Sequence, residues 1–313
     1  MAVPPPARDG KVAPVRRVVV PVPVAARQET PVPLAVTGAT GRLGGRVARR
    51  LAAAGVTQRL LVRDPARAPR LPGATVVPAP YGDAGAVRAA LAGTATALLV
   101  SASETPDRVE QHRTFVDAAV AAGVQHLVYV SFLGAAPDAT FTLARDHWAT
   151  EEHVRAHGLP ATFLRDSLYA DFAPALVGSD GAIRGPAGEG RVAPVAQDDV
   201  ADVAVTVLRD PAAHAGRTYD LTGPESLTLA DIAAALTAVT GRAVRYVPET
   251  VAEAFASRAS YGAPDWQVEA WVSTYTAVAA GEMAAVSSAV PDLLGRPAAS
   301  LEQVLRAASR PAG

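Results

Sequence analysis

Apolar residues fall in short, nearly continuous runs at 34–37, 59–63, 74–80, 95–100, 126–131 and 161–165, which is how strands buried on both faces read. Between the runs the apolar spacing changes to three and four, as in Leu43, Val47 and Leu51. Further helices are predicted from about Asp83, over 107–122, and over 147–157 with Asp146 as cap, the last two stopped by Gly123 and Gly158. Strand-length and helix-length segments thus alternate. That order predicts an α/β fold, a doubly wound parallel sheet with helices on both faces.

Past Phe172 the pattern loosens. Residues 178–190 read as a Gly-rich loop and 191–195 as a short strand. Asp198 or Asp199 is expected to cap a helix with Val200, Val203, Ala204, Val207 and Leu208 inward, and 217–222 to return as a strand. Thr228 with Asp231 and Ser300 with Gln303 read as helix starts of the capping-box kind. A stripe of Trp266, Trp271, Val272, Tyr275 and Val278 marks another helix, with its aromatic rings expected in the core and Pro264 in the first turn. Three regions follow: a Pro-rich, disordered arm over 1–31, a sheet domain over 32–172, and a smaller, mainly helical C-terminal substrate lobe over 173–313 that returns some strands and helices to the sheet.

The first strand–helix junction carries the chemistry. Gly38, Gly41 and Gly44 follow the strand as Thr37-Gly-Ala-Thr-Gly-Arg-Leu-Gly44. The first glycine permits a sharp turn, the second lets backbone N–H groups approach a pyrophosphate, and the third lets the helix pack on the sheet. The positive helix end then faces the phosphates. With a strand before and an amphipathic helix after, the motif predicts a dinucleotide site built from Gly38, Thr40, Gly41, Arg42, Leu43 and Gly44. The cofactor follows from the end of the second strand, where an acid selects NAD and an arginine accommodates the 2′-phosphate of NADP. Nineteen residues past Gly44 stands Arg63, so NADP(H) is expected in preference to NAD(H), with Arg42 and Arg67 adding charge; the neighbouring Asp64 would reverse the inference if it took that place. Ser101, Ala102 and Ser103 leave the fourth strand and are expected beside the cofactor, and Asp83 either caps its helix or lies near the adenine.

Composition narrows the remainder. The 313 residues, half of them hydrophobic, suffice for a large core, and the net charge of −1 gives no field for nucleic acid or an anionic membrane. The chain has no cysteine, which excludes disulfides and thiolate chemistry and suits a reducing cytoplasm. Lys11 is its only lysine, so a Schiff base is excluded from the folded part. The six histidines show no metal-site spacing; His153 and His157 share a helix face but no third ligand is apparent, and no metal is expected. No Gly-x-Ser-x-Gly elbow occurs. A small-molecule substrate is expected, with no nucleic acid or membrane partner and with an oligomer allowed.

Several separated segments resemble one family: Thr37 to Gly44, Leu61-Val-Arg-Asp-Pro65, Val128-Tyr-Val-Ser-Phe132, His147-Trp-Ala-Thr-Glu151, Thr162-Phe-Leu-Arg-Asp166, Ala196-Gln-Asp-Asp-Val-Ala201 and the ending Gly295-Arg-Pro297. Together they resemble the NmrA-like atypical short-chain dehydrogenases, and most of all the bacterial type 2 NAD(P)H:quinone oxidoreductases, over about residues 32–306. The resemblance implies a Rossmann fold and hydride transfer to a quinone or similar conjugated carbonyl acceptor. The usual Tyr-x-x-x-Lys pair is missing; the matching helix carries His147 and Glu151, and Ser131 stands where the family's serine does. His147 is the candidate proton relay, with Glu151 one turn on to hold it. Two other readings stay open: a non-catalytic dinucleotide sensor of the NmrA kind, and a biosynthetic carbonyl or imine reductase.

Overall fold

The computed structural model describes residues 1–2 and 34–309; the expected arm over 1–31 lies almost wholly outside them. In chain order the elements are β1 Leu34–Thr37, α1 Arg42–Ala53, β2 Gln58–Val62, β3 Ala74–Pro78, α2 Ala84–Leu91, β4 Thr96–Val100, α3 Arg108–Ala121, β5 His126–Phe132, α4 Thr142–Ala156 and β6 Ala161–Asp166. They continue as β7 Ala182–Gly185, β8 Arg191–Val192, α5 Gln197–Arg209, β9 Thr218–Leu221, β10 Leu227–Thr228, α6 Leu229–Thr240, β11 Arg245–Pro248, α7 Val251–Arg258, α8 Asp265–Ala279, α9 Ala289–Leu294 and α10 Leu301–Ala308.

Seven strands pair in the order β3-β2-β1-β4-β5-β6-β9, every pair parallel. The two-residue period of each strand divides the core. Val36, Leu60, Leu98, Val128 and Leu164 face α1 and α5, while Ala35, Leu61, Leu99, Tyr129 and Phe163 lie in the cluster with side chains of α2, α3 and α4. The chain runs outward from β1 to β3 and then resumes at β4, on the other side of β1. Strand order therefore reverses between β1 and β4, where a crevice opens at the carboxyl ends of the strands.

The later segments divide between two tasks. β9 pairs with β6, and α5 and α9 pack on the α1 face of the sheet. A separate apolar cluster, including Phe141, Ile183, Leu229, Ile232, Val278 and Leu301, holds β7, β8, α6, α8 and α10 together, and Ala254, Val268 and Val272 join α7 to α8.

Several elements depart from expectation. α4 starts at Thr142, a turn early, and Asp146 lies inside it and pairs with Arg108 at 3.2 Å. Neither Asp198 nor Asp199 caps α5; the Gln197 N–H donates to Asp171 Oδ2 at 2.8 Å, from a distant turn. The segment expected as a loop contains β7, which pairs in parallel with β11. In the α8 stripe Val272 and Val278 are buried in the core, while Trp271 and Tyr275, packed against core clusters, also border a cavity; Pro264 stands one position before α8. His153 and His157 do meet a third group, Asp117 of α3.

Gly44 sets how closely α1 approaches the sheet. A Cβ there would lie 2.6 Å from the Thr37 carbonyl oxygen and 2.5 Å from the Gly38 carbonyl carbon, both rigid backbone. Gly44→Ala is expected to destabilise the fold by about 1–3 kcal/mol through forced displacement of α1. Urea unfolding monitored by circular dichroism measures the change.

Candidate functional site

The crevice at the β1–β4 switch is lined by Gly38, Thr40, Gly41, Arg42, Leu43, Gly44, Arg63, Ser101, Ala102 and Ser103. Gly38 turns the chain at φ +65°, a conformation that side chains resist, and the Gly41 N–H closes the turn on the Gly38 carbonyl at 2.8 Å. Gly41 is the N-cap of α1, and no side chain among the described residues caps the helix. The first-turn N–H groups thus open onto the crevice, as an anion-binding helix end requires. Arg63, exposed at the end of β2, forms one wall. Asp64 turns aside, its Oδ1 accepting the Ala66 N–H at 3.0 Å, and Arg67 does not line the crevice.

Asp83 is absent from the crevice wall. Its carboxylate accepts the Ala86 N–H at 2.9 Å and caps α2. Tyr81, two residues earlier, lines the crevice instead, and its hydroxyl bonds to Thr37 Oγ1 at 2.6 Å and to the Val100 carbonyl at 2.8 Å. This phenol ties β1 to β4 across the switch point, and burial pushes its pKa up. No sequence motif marks it.

His147, Ser131 and Glu151 are all buried, and none lines the crevice. Arg108 Nη2 lies 2.8 Å from His147 Nε2; an arginine only donates, so Nε2 accepts and Nδ1 carries the proton toward the Tyr129 hydroxyl at 2.9 Å. Both ring nitrogens are engaged. Burial, reinforced by Arg108, holds the imidazole neutral, well below its ordinary pKa. Arg108 Nε in turn donates to the Ala102 carbonyl at 3.1 Å, and the Ala102 N–H donates to His112 Nε2 at 2.8 Å. Burial lowers the His112 pKa to about 3. His147 therefore reaches the crevice only through Arg108, which grips the Ala102 wall.

Glu151 does not hold His147. Ser131 Oγ donates to Glu151 Oε1 at 2.6 Å, Arg165 binds both carboxylate oxygens at 2.8 and 2.6 Å, and Arg155 adds a bond at 2.8 Å. Fully buried, this carboxyl is paired with two guanidiniums, Arg155 and Arg165. Ser131 and Glu151 do come together, but beneath the rim.

Asp166, at the end of β6, is the contrast. It is buried, it pairs with no cation among the described residues, and its carboxyl is hydrogen-bonded to the Tyr169 hydroxyl. Burial pushes its pKa up to about 8, so the carboxyl is mainly protonated at neutral pH. Tyr169 borders a second cavity of about 750 Å³, enclosed also by Phe172, Leu176, Ile232, Trp271 and Tyr275. Two links join this cavity to the first crevice. The Arg42 guanidinium lies 5.1 Å from the centre of the Phe172 ring, and Arg46 of α1 binds Asp171 at 3.0 Å, fixing the turn that carries Phe172. Asp166 ends one of the segments that carry the family resemblance, but the buried, unpaired state of its carboxyl depends on packing.

His147→Ala would leave the buried Arg108 and Tyr129 groups without a partner, at an expected cost of about 3 kcal/mol at pH 7.5. The native histidines have pKa values below the unfolded value of 6.5, so the native state binds fewer protons and stability falls as pH drops from 6.5 toward 3. The variant lacks one such group. Urea unfolding at pH 7.5 and 4.5 is expected to show a smaller gap between variant and parent at the lower pH.

The match to known proteins covers this whole arrangement. Residues 32–276 match the NmrA-like family. Quinone oxidoreductase 2 of Escherichia coli is 34% identical over 278 residues, spanning 86% of this chain and 96% of that protein. A (4-alkanoyl-5-oxo-2,5-dihydrofuran-3-yl)methyl phosphate reductase of Streptomyces griseus is 38% identical over 270 residues, 84% of this chain and 93% of that one. Among solved structures, the Escherichia coli NADPH-dependent quinone oxidoreductase complexed with NADPH superposes with a TM-score of 0.81 at 34% identity, covering 88% of this chain and all of that one. With the glycine crevice, the seven-stranded parallel sheet and this similarity over most of the chain in agreement, the chain belongs to the NmrA-like family.

Proposed function

We propose that the protein is an NADPH-dependent oxidoreductase that passes hydride to a quinone or a comparably electron-poor conjugated acceptor. The observation that carries this reading is the junction of the two cavities at Arg42 and Phe172: a phosphate-binding crevice on one side and an apolar, aromatic-lined chamber on the other. The crevice fits a dinucleotide because the α1 N-terminus is uncapped by side chains and its glycines leave the backbone bare. Arg63 would hold the 2′-phosphate, the Gly38 to Gly44 loop the pyrophosphate, and Ser101, Ala102 and Ser103 the nicotinamide half. When bound, the dinucleotide supplies hydride. Similarity to quinone and furanone-phosphate reductases supports an acceptor whose double bonds are conjugated to a carbonyl.

The chain's own task is then to supply a proton to the reduced oxygen. Asp166 and Tyr169 are suited to it. In the structure the Tyr169 O–H donates to Asp166 Oδ2; with the carboxyl protonated this bond can reverse, Asp166 donating to the phenol oxygen and Tyr169, which borders the chamber, turning its O–H to the acceptor. As that proton moves to the acceptor oxygen, the Asp166 proton replaces it on Tyr169, and solvent later reprotonates the carboxylate. The charges nearest the pair, Arg46 of α1 and Asp171, neutralise one another at 3.0 Å. His147, Ser131 and Glu151 are proposed as positioning residues: His147 and Arg108 fix the Ala102 wall, and Ser131 with Glu151 locks β5 to α4 and β6. A sensor would need the crevice but neither the chamber nor a neutral acid beside it.

Purified protein is expected to consume NADPH only when a quinone such as a substituted benzoquinone is supplied; stoichiometric NADPH binding without turnover across a quinone panel would overturn the reading. Arg63→Glu should raise the NADPH dissociation constant roughly 10- to 100-fold while sparing NADH, by loss of a charge-assisted phosphate contact. Equal loss of both would place the 2′-phosphate elsewhere. For the acid, turnover should fall as pH rises through about 8, and Asp166→Asn should lower kcat and remove that limb. A second readout needs no cofactor. The native carboxyl keeps its proton above the unfolded value of 3.8, so parental stability is lost as pH rises toward 8, and Asp166→Asn should gain on the parent in melting temperature between pH 5 and 9.

A further inference from the structure

At the edge of the sheet away from the crevice, three ligand-type side chains converge from two helices. His153 and His157 stand one turn apart on α4 and Asp117 faces them from α3. Both imidazole Nε2 atoms approach the same carboxylate oxygen, Asp117 Oδ1, at 2.6 and 2.8 Å, and all three ligand atoms lie within 4.8 Å of one another. The two rings meet edge to face, 4.8 Å between centres. We propose that Asp117, His153 and His157 form a binding site for one divalent transition-metal ion of the zinc type, which staples α3 to α4.

The donor set selects the class of ion. Two imidazoles and one carboxylate suit Zn²⁺, Ni²⁺, Co²⁺ or Cu²⁺, whereas Mg²⁺ and Ca²⁺ prefer oxygen alone. In a tetrahedral zinc site, bonds of about 2.0–2.1 Å place neighbouring donors roughly 3.3 Å apart, inside the spread seen here. The half-exposed Asp117 and the partly exposed rings leave the fourth position to water. No thiolate competes, since the chain has no cysteine.

The site is held in place before any ion binds. Arg108 of α3 pairs with Asp146 and His147 of α4, and His112 of α3 bonds to Thr150 of α4 at 2.9 Å, so the helix spacing is set by buried contacts nearer the rim. Arg155, the cation nearest in sequence to the pair, is committed to Glu151 and Glu152. Without an ion, one carboxylate oxygen must accept from two imidazole N–H groups. An ion would take the place of both Nε2 protons, each neutral ring then carrying its single proton on Nδ1.

Location limits the role. In each strand–helix unit the helix runs back against its strand, so helix N-termini lie at the carboxyl rim and C-termini at the opposite edge. His153 and His157 close the C-terminal end of α4, and Asp117 lies in the last third of α3. An ion there would be remote from hydride transfer, and its effect is on stability.

The test uses the untagged full chain, free of cofactor, titrated calorimetrically with Zn²⁺ and in parallel with Mg²⁺. One equivalent of Zn²⁺ should bind and raise the melting temperature, and Mg²⁺ should do neither. His157→Ala and Asp117→Asn, both at partly exposed positions, should each weaken Zn²⁺ binding about tenfold or more and reduce the thermal shift, with circular dichroism spectra unchanged. Cobalt offers a check on the intact chain, because nitrogen-ligated Co²⁺ in a low-coordinate site gains visible absorption. No saturable Zn²⁺ binding, or undiminished binding by the chain carrying Asp117→Asn, His153→Ala and His157→Ala together, would overturn the proposal.

Discussion

The close approach of α1 to the end of β1 is the constraint on which the functional region depends. Gly44 leaves no room for a side chain between helix and strand, and Gly38 turns the backbone at positive φ so that the loop can lie flat against the helix end. The uncapped N-terminus of α1 is thereby aimed along the crevice. Arg46 and Arg50, on the same helix, reach Asp171, Asp198 and Asp202, which seats α5 and the turn carrying Phe172 against it. One helix thus positions the glycine loop and the entrance to the aromatic chamber together.

A second layer of support is polar and buried. Arg108, His112, His147 and Tyr129 form a hydrogen-bonded chain behind the Ala102 wall, with the two histidines kept neutral by burial. Such a network is costly when incomplete and rigid when complete, which suits a wall that must keep its shape while a cofactor enters and leaves. Glu151 works similarly under Ser131, its charge compensated by Arg165 and Arg155. Asp166 differs because no cation among the described residues accompanies it, and burial without such a partner favours the neutral acid.

The inner strands β1, β2, β4, β5 and β6 were legible because both of their faces are buried, so each appears as a short apolar run, whereas the edge strands β3 and β9 are only partly buried. The glycine turn was legible for another reason: Gly38, Gly41 and Gly44 lie within one short stretch and take their places from local backbone geometry, and Arg63 reaches the same crevice from the end of the next strand. The short pair β7 and β11 was hidden, since 182–185 carries too few apolar residues to stand out from its glycines. The surroundings of His147 were equally hidden. They come from Arg108 and Tyr129, 39 and 18 residues away, and the spacing of His147 and Glu151 on one helix suggested a partnership that Arg165 pre-empts. Asp117 escaped notice likewise, because it meets His153 from a different helix.

The central claim is that the glycine crevice and the aromatic chamber form one reaction path. A single-turnover experiment tests it directly: protein loaded with one equivalent of NADPH, deuterated at the transferring position of the nicotinamide or not, is mixed with excess quinone and followed by NADPH absorbance. The account predicts quinone-dependent oxidation of the bound cofactor, slowed several-fold by deuterium. Bound NADPH that stays reduced in the presence of every quinone offered would contradict it.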